Sequence, residues 1–362
     1  MEFHVKNNPE RILIVRLSAL GDVVDVLPAL RSLRYHFPNS KIAWLVEDRA
    51  CSILSGHPDI DEIIVFPRKR WQRNIFRVTT FFETLSDIVS FYRRLRNESY
   101  DFVLDFHGNL KSGIMTRLTG SKNRIGFGRG HCREFNYLFT KYHIYPSQKR
   151  IHRIDRNLSL LSSLNIDTQF LKPELPLSRE CHEYVSTFLE TKNISSKPLI
   201  IIHPCTSEYG AYKRWSTSNY ALVTDMILEK FDVNVVFTWG PNELEIVNEI
   251  VNKMNNRATI ACETTIKQFV ELIRHAVLFI GGDTGPLHIA STLCIPIVAI
   301  FGPKDPVIYG PYNGNSLVVS KDVSCSPCRR RTCSDTKCIT TILPEDVFDA
   351  ASELMMNECA LK

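Results

Sequence analysis

Short runs of β-branched and aliphatic residues alternate with longer amphipathic stretches along almost the whole 362-residue chain. In the first half these runs lie at 11–17, 41–46, 62–66 and 100–106. In the second half they lie at 198–204, 233–239, 258–261, 277–282 and 296–302. Strands that alternate with helices form parallel sheets with helices on both faces. The pattern therefore predicts an α/β fold.

The number of strands and the length of the chain favour two domains. A single twisted sheet seldom holds this many strands, and most domains are about 100–200 residues long. The stretch 172–178 is polar and contains proline, and residues 195–198 lead into a new first strand. We therefore predict two Rossmann-like, doubly wound domains, residues 1–178 and 179–362, facing each other across a cleft. In such folds ligands bind at the carboxyl ends of the strands.

Positive charge is concentrated in the N-terminal half of the chain. Residues 1–195 contain 29 Lys and Arg against 21 Asp and Glu, whereas residues 196–362 contain 15 against 18. The net charge of +8 in the first half suits an anionic partner, although ordinary surface solubility also accounts for an excess of this size.

The N-terminus and the cysteines predict a soluble, cytoplasmic protein. The first apolar run is short and is flanked by Arg11 and Arg16, unlike a signal peptide. No stretch approaches the length that spans a bilayer. Most of the eleven cysteines are scattered singly, which favours reduced thiols over a disulfide framework.

The loop after the first strand places a carboxylate at the start of a helix. Residues 17–22 contain only Gly21, so the three glycines of a dinucleotide-binding turn are missing and an NAD or FAD site is disfavoured. Asp22 opens a helix predicted to run to Phe37. Its carboxylate either stabilises the helix N-terminus or serves as a general base for an incoming hydroxyl.

The segment 279–288 of the second half predicts an anion site. A strand ends in two glycines, and a helix begins around Thr284. Gly285 lets backbone N–H groups approach a ligand, and Pro286 suits the first helical turn. A diphosphate is the natural occupant. Asp283 can accept hydrogen bonds from sugar hydroxyls, and His288 is either a packed histidine or a ligand contact.

Two further side chains follow strands of the second domain. Lys213 lies in the loop after the first of these strands, where it either neutralises a leaving phosphate or is a solvated surface lysine. Glu243 follows the second, where it either binds ribose hydroxyls or stabilises a helix N-terminus.

Two long motifs resemble those of glycosyltransferase family nine, the ADP-heptose:lipopolysaccharide heptosyltransferases. They are ILIVRLSALGDVVDVLPAL at 12–30 and GGDTGPLHIASTLCIPIVAIFGPKDP at 281–306. The segments 67–74, 105–120 and 132–139 resemble the heptosyltransferase I branch in particular. The resemblance extends from residue 11 to about residue 347.

This resemblance implies an inverting enzyme of the GT-B fold. The acceptor would bind the N-terminal domain and ADP-L-glycero-D-manno-heptose the C-terminal domain. Asp22 would be the catalytic base, Lys213 would contact the donor phosphates and Glu243 the ribose. The diphosphate and heptose would be lined by Asp283, Thr284, Gly285, Pro286 and His288. No metal cofactor is expected, and the chain lacks an obvious DxD motif.

A basic face on the N-terminal domain is the predicted acceptor site. RNA is disfavoured because no module with stacking aromatic residues is recognisable. The Kdo–lipid A inner core of lipopolysaccharide is anionic and fits the family, so we expect transient peripheral contact with the inner membrane. The segment 75–82 mixes apolar and basic residues and either touches lipid or begins a buried helix. The acceptor residues that we predict are Arg68, Arg70, Trp71, Lys111, Arg124 and Arg133.

Four cysteines near the C-terminus have the spacing CxxC-x4-C-x4-C, at Cys325, Cys328, Cys333 and Cys338. This spacing suits a structural zinc ion or two disulfides, while free thiols fit a cytosolic protein.

Two other functions remain open for the whole chain. One is a family-nine transferase with another donor sugar or acceptor, and the other is a non-catalytic nucleotide-sugar-binding protein.

Overall fold

The computed structural model describes residues 9–166, 169–312, 314–328, 330 and 332–360, without the side chains of residues 78 and 357–360. The chain divides into two compact units, Met1–Pro176 and Leu177–Lys362. Each unit contains a six-stranded, all-parallel sheet.

The N-terminal sheet has the strand order β3-β2-β1-β4-β5-β6. Its strands are β1 (Arg11–Val15), β2 (Lys41–Glu47), β3 (Glu62–Phe66), β4 (Phe102–Asp105), β5 (Arg124–Phe127) and β6 (Tyr142–Ile144). Its helices are α1 (Leu20–Val24), α2 (Leu27–His36), α3 (Asp48–Leu54), α4 (Arg68–Asn74), α5 (Phe81–Asn97), α6 (Leu110–Leu118) and α7 (Arg153–Ser159), with 3-10 turns at Val78–Thr80, Asn136–Leu138 and Leu160–Leu164.

The C-terminal sheet repeats this order as β9-β8-β7-β10-β11-β12. Its strands are β7 (Leu199–His203), β8 (Asn234–Phe237), β9 (Thr259–Ile260), β10 (Ala276–Gly282), β11 (Ile297–Ile300) and β12 (Ser316–Val319). Its helices are α8 (Arg179–Thr191), α9 (Thr217–Lys230), α10 (Leu244–Lys253), α11 (Ile266–Arg274), α12 (Gly285–Thr292), α13 (Pro306–Tyr309), α14 (Lys337–Thr340) and α15 (Pro344–Ala360), with a 3-10 helix at Glu208–Lys213.

Both sheets are doubly wound Rossmann sheets, as predicted. Their central strands read as unbroken apolar runs because parallel sheets are covered on both faces. In β1 the residues 12–15 are fully buried, as are residues 200–202 of β7. Connections leave in opposite directions from β1 and β4, and again from β7 and β10. Ligand sites of this fold lie outside the carboxyl ends of such strand pairs.

The helix predicted to run from Asp22 to Phe37 is two helices. Helix α1 ends at Val24, and α2 begins at Leu27 with Pro28 in its first turn. Proline lacks an N–H and clashes with the carbonyl four residues earlier, so a continuous helix cannot pass this point.

Within the described ranges, none of the helices has the length and apolar character needed to span a membrane.

Candidate active site

Asp22 lies in the first turn of α1, directly after the loop that leaves the carboxyl end of β1. Its Oδ2 accepts a hydrogen bond of 3.2 Å from the backbone N–H of Ala19. The carboxylate therefore does stabilise the helix N-terminus, as one of the two interpretations proposed. With 28% of its side chain exposed, it also remains open to solvent.

Two arginines hold the Asp22 carboxylate. Arg16 Nη2 lies 2.7 Å from Oδ2, and Arg153 Nη1 bonds Oδ1. Arg16 is almost completely buried, and its Nη1 donates to the carbonyl of Phe106 at 2.8 Å, which ties the end of β1 to the end of β4. Arg153 is the first residue of α7, and Asn157 of that helix donates to the carbonyl of Asp25 at 2.9 Å. Distant parts of the unit thus fix one carboxylate in position.

His107, which follows β4, was not among the predicted residues. Burial, followed by the positive charge of Arg16, lowers the pKa of His107 to about 3. Its Nδ1 is buried and has no hydrogen-bond partner among the described residues. Nearby Lys111 and Arg153 also lower this pKa. His107 is therefore a neutral imidazole beside the carboxylate. Its position directly after the apolar run at 100–106, which predicts a strand, was the sequence signal that could have identified it.

Asp105, the last residue of β4, stabilises the loop between β4 and α6. It is fully buried and accepts hydrogen bonds from the backbone N–H groups of His107 and Gly108, each at 3.0 Å. Ser112 and Asn136 side chains donate to it at 2.9 and 2.7 Å. These bonds fix the start of α6, and with it the position of Lys111.

Three of the predicted acceptor residues follow carboxyl ends of strands. Lys111 and Arg68 both approach Glu47, the last residue of β2, with Arg68 Nη1 3.5 Å from Oε1. Arg133 follows β5, is exposed, and donates its backbone N–H to the carbonyl of Gly108 at 2.8 Å. Parallel strands end at the same edge of a sheet, so these cations share the edge that carries Asp22.

Two other predicted acceptor residues are structural. Trp71 is buried, with its ring 5.3 Å from those of both Phe66 and Phe91, so it belongs to the core. Arg124 begins β5 and therefore lies at the amino edge of the sheet, where its Nε donates to the carbonyl of Phe139 at 2.9 Å. Trp71 thus packs in the core and Arg124 bonds the backbone, and an acceptor contact by either residue stays a prediction.

Arg70 and the segment 75–82 lie on an exposed surface. Arg70 is half exposed and pairs with Asp87 of α5 at 2.5 Å. Phe76 is 89% exposed and Phe82 80%, so this segment is not the start of a buried helix.

In the C-terminal unit, Lys213, Asp283 and His288 meet at the carboxyl ends of β7 and β10. Lys213 Nζ lies 2.7 Å from Asp283 Oδ2 and also donates to the Asp283 carbonyl. His288 Nε2 lies 3.9 Å from Asp283 Oδ1. All three side chains are largely buried. The structure thus unites residues 70 positions apart, which sequence analysis could place only in separate loops.

This cluster holds Asp283 as an anion. Burial alone would raise the pKa of Asp283, but the interaction with His288 and the charge of Lys213 outweigh it and hold the pKa at about 2. His203 is the last residue of β7 and is buried. It precedes the loop that carries Lys213. Burial lowers its pKa to about 4, and its Nδ1 lies 3.0 Å from Thr238 Oγ1.

The N-terminus of α12 adjoins this cluster. Gly285 and Pro286 are its first residues, and Thr284 precedes it with extended backbone. The Thr284 hydroxyl donates to the carbonyl of Gly282 at 3.3 Å and caps no helix amide. Free N–H groups at a helix N-terminus attract anions. The arrangement can therefore accept phosphate oxygens beside the ammonium group of Lys213.

Glu243 follows the neighbouring strand β8 and immediately precedes α10. Its Oε2 accepts a hydrogen bond of 2.8 Å from the backbone N–H of Gly240. The side chain is partly exposed at the same sheet edge as Lys213. Its position fits both interpretations, and ribose binding by Glu243 stays a prediction.

The four clustered cysteines do not form a ligand set in the structure. All four are free thiols, with Cys325 and Cys333 exposed and Cys338 buried. Among the residues that the structure describes, no three of these sulfurs lie within 4.8 Å of one another, whereas zinc bonds of about 2.3 Å would require closer spacing. A structural zinc ion at this cluster is not supported.

Comparisons with known proteins agree with this architecture. The family model described as "Glycosyltransferase family 9 (heptosyltransferase)" matches residues 88–339. The lipopolysaccharide core heptosyltransferase OpsX of Haemophilus influenzae is 28% identical over 315 residues, 86% of this chain and 84% of that protein. Lipopolysaccharide heptosyltransferase 1 of Pseudomonas aeruginosa is 27% identical over 327 residues, 90% and 87% of the two chains.

A family 9 glycosyltransferase structure from Veillonella parvula superposes with a TM-score of 0.83 at 23% identity, covering 99% of this chain and 100% of that one. Heptosyltransferase WaaC of E. coli, solved with ADP, gives a TM-score of 0.73 at 22% identity, covering 95% and 99%. The predicted family and GT-B fold class are thereby confirmed. With 252 of its 362 residues inside the family match, the chain belongs to glycosyltransferase family 9, the heptosyltransferase family, and is a glycosyltransferase.

Proposed function

We propose that this enzyme transfers heptose from ADP-L-glycero-D-manno-heptose to the Kdo–lipid A inner core of lipopolysaccharide, with inversion at the anomeric carbon. The names of the relatives, which are lipopolysaccharide heptosyltransferases, support this activity. Structures of the same fold solved with ADP and with ADP-2-deoxy-2-fluoro heptose support the donor class. The observation that carries the proposal is the Lys213–Asp283–His288 cluster at the start of α12.

The C-terminal unit is the proposed donor site. The ammonium group of Lys213 and the N-terminal amides of α12 would neutralise the donor diphosphate and the ADP that leaves. Asp283, ionised and already paired on one side, offers acceptor oxygens to heptose hydroxyls. Glu243 would bind the ribose hydroxyls after releasing the N–H of Gly240. These groups supply the charge neutralisation that a divalent metal gives other transferases, so we propose catalysis without a metal.

Asp22 is the proposed base of a single displacement. One carboxylate oxygen takes the proton of an acceptor hydroxyl while the hydroxyl oxygen bonds to the anomeric carbon. The bond from that carbon to the diphosphate oxygen breaks on the opposite face, which inverts the configuration. Arg16 and Arg153 orient the carboxylate, and the 28% of Asp22 that is exposed gives the acceptor access.

The acceptor would be held by cations at the carboxyl edge of the N-terminal sheet. Arg68, Lys111 and Arg133 lie there and suit the phosphates and carboxylates of an inner-core glycolipid. Arg70 belongs to the adjoining exposed surface.

The same unit presents a proposed membrane contact. Phe76 and Phe82 are exposed, and the exposed arginines Arg73 and Arg77 lie close to them in the sequence. Apolar residues together with cations suit the interface of an anionic bilayer. We propose transient contact of the segment 73–82 with the cytoplasmic face of the inner membrane.

A reconstituted reaction tests the function. Incubation with ADP-heptose and Kdo–lipid A in the presence of EDTA should give a product heavier by one heptose, with inverted anomeric configuration by NMR. Asp22→Asn should bind donor normally and lose turnover. Glu345→Gln, an acid-to-amide change in the exposed first turn of α15, is the matched control and should retain activity.

Several outcomes would contradict the proposal. Unchanged turnover in Asp22→Asn removes this residue from the mechanism. Activity only with another donor or acceptor supports a different family 9 transferase, and donor binding without any product supports a binding protein.

A further inference from the structure

Three side chains with metal-binding groups meet on the C-terminal unit, away from the proposed donor site. They are His182 of α8, Glu271 of α11 and His275 at the C-terminal end of α11. His182 Nδ1 lies 2.8 Å from Glu271 Oε1, and His275 Nε2 lies 3.4 Å from the same oxygen. The three ligand atoms all lie within 4.8 Å of one another.

This spacing fits one divalent cation. Zinc bonds imidazole nitrogen and carboxylate oxygen at about 2.0–2.2 Å. In a tetrahedral site, such bonds hold the ligand atoms roughly 3.3–3.6 Å apart. The His275–Glu271 distance of 3.4 Å lies in this range. The His182–Glu271 distance of 2.8 Å is a hydrogen bond that must lengthen by about 0.5 Å, which a rotation of the exposed His182 ring allows.

The local fold combines one fixed ligand with two adjustable ones. The Glu271 side chain is only 8% exposed, because α11 packs this face against the unit. His275 lies one helical turn after it and is 34% exposed, while His182 is 63% exposed. The imidazole rings are nearly parallel, with centroids 6.4 Å apart. The buried carboxylate anchors the site, and the exposed histidines leave further coordination positions to water.

We propose that His182, Glu271 and His275 bind a late first-row divalent cation of the Zn²⁺ type. Two imidazoles and one carboxylate suit zinc better than magnesium or calcium, which prefer all-oxygen ligands. The bound ion joins α8 to α11 and stabilises the C-terminal unit.

The ion plays no part in sugar transfer. His275 immediately precedes β10, whereas Asp283 immediately follows it. The seven-residue strand between them separates the two positions by about 26 Å, at roughly 3.3 Å per residue. Failure of this proposal and failure of the proposed function are therefore distinguishable.

Zinc titration of the metal-stripped, full-length protein tests the site. Calorimetry at pH 7.5 should show one zinc equivalent that is absent from the double variant His182→Ala/His275→Ala. Zinc at about a hundredfold excess over its Kd should raise the Tm of the wild type by roughly 5 °C and leave the double variant unchanged. Bound Co²⁺ should show weak visible bands typical of nitrogen and oxygen ligands, without thiolate charge transfer.

Two further variants separate the alternatives. Cys325→Ser/Cys328→Ser should retain the zinc equivalent, which excludes the clustered thiols as its ligands. Glu271→Gln keeps the size of the buried side chain, so unchanged circular dichroism with lost binding identifies the carboxylate as a ligand. Equal titration curves for the wild type and the double histidine variant, or no binding to the wild type at micromolar zinc, would overturn the proposal. The contacts would then be plain hydrogen bonds between histidine and glutamate.

Discussion

Replacing Asp283 by asparagine should remove a defined part of the pH dependence of stability. The ion pair with Lys213 and the contact with His288 lower the pKa of the Asp283 carboxyl from an ordinary 3.8 to about 2, despite its burial. Since one pKa unit corresponds to about 1.4 kcal/mol, the folded state favours the ionised form by roughly 2–3 kcal/mol. The Asp283 side chain is only 12% exposed, so solvent screening reduces this figure little.

The sign follows from where the proton binds. As the pH falls through about 4, the unfolded chain takes up a proton at Asp283, while the folded chain resists uptake until about pH 2. The contribution is therefore fully present above about pH 5 and is lost as the pH falls. About 1 kcal/mol of it should be lost by pH 3.

Guanidinium unfolding at pH 6 and pH 3 measures this difference. The stability difference between the wild type and Asp283→Asn should shrink by about 1 kcal/mol between the two pH values. Asp232→Asn is the matched control, because Asp232 pairs with Lys197 at 2.6 Å but is 83% exposed. Exposed pairs contribute little. A difference that does not change with pH, or an equal change in the control, would refute the reasoning.

Three further predictions concern the N-terminal unit. His107→Gln should gain stability relative to the wild type, by up to a few kcal/mol, as the pH falls from about 6.5 towards 3. The reason is that burial lowers the pKa of His107 to about 3, so the unfolded wild-type chain takes up the proton first. Urea unfolding measures this, and the same pH dependence of stability in both proteins would contradict it. Trp71→Ala should lower the free energy of unfolding by about 3–5 kcal/mol, since the side chain is in the core. A loss below about 1 kcal/mol, or a raised acceptor KM with unchanged stability, would contradict a purely structural role and support an acceptor contact. Phe76→Ser/Phe82→Ser should weaken binding to phosphatidylglycerol vesicles at least tenfold in sedimentation assays, because burying each exposed ring in the bilayer contributes about 1.5–3 kcal/mol. Tyr35→Ser is the control, since Tyr35 of α2 is about equally exposed. An equal loss of binding in that variant argues against a specific membrane-binding surface.

Much of the strand framework was predictable because buried parallel strands carry a strong local signal. The runs at 11–17 and 277–282 predict β1 and β10 within two residues. Strands β5, β6 and β12 were missed, since each has only three or four residues and at most three consecutive apolar ones. The break between α1 and α2 was also missed, although Pro28 marks it.

The sequence by itself determined the α/β class, the family and the two loops that carry Asp22 and Asp283, because each depends on local periodicity or on a contiguous motif. Only the tertiary structure showed that Arg153 pairs with Asp22 across 131 positions, and that Lys213 pairs with Asp283 across 70. It also decided that Trp71 belongs to the core. The physical reason is that side-chain burial and ion pairing depend on which strand ends become neighbours in the sheet, and no local stretch of sequence encodes that order.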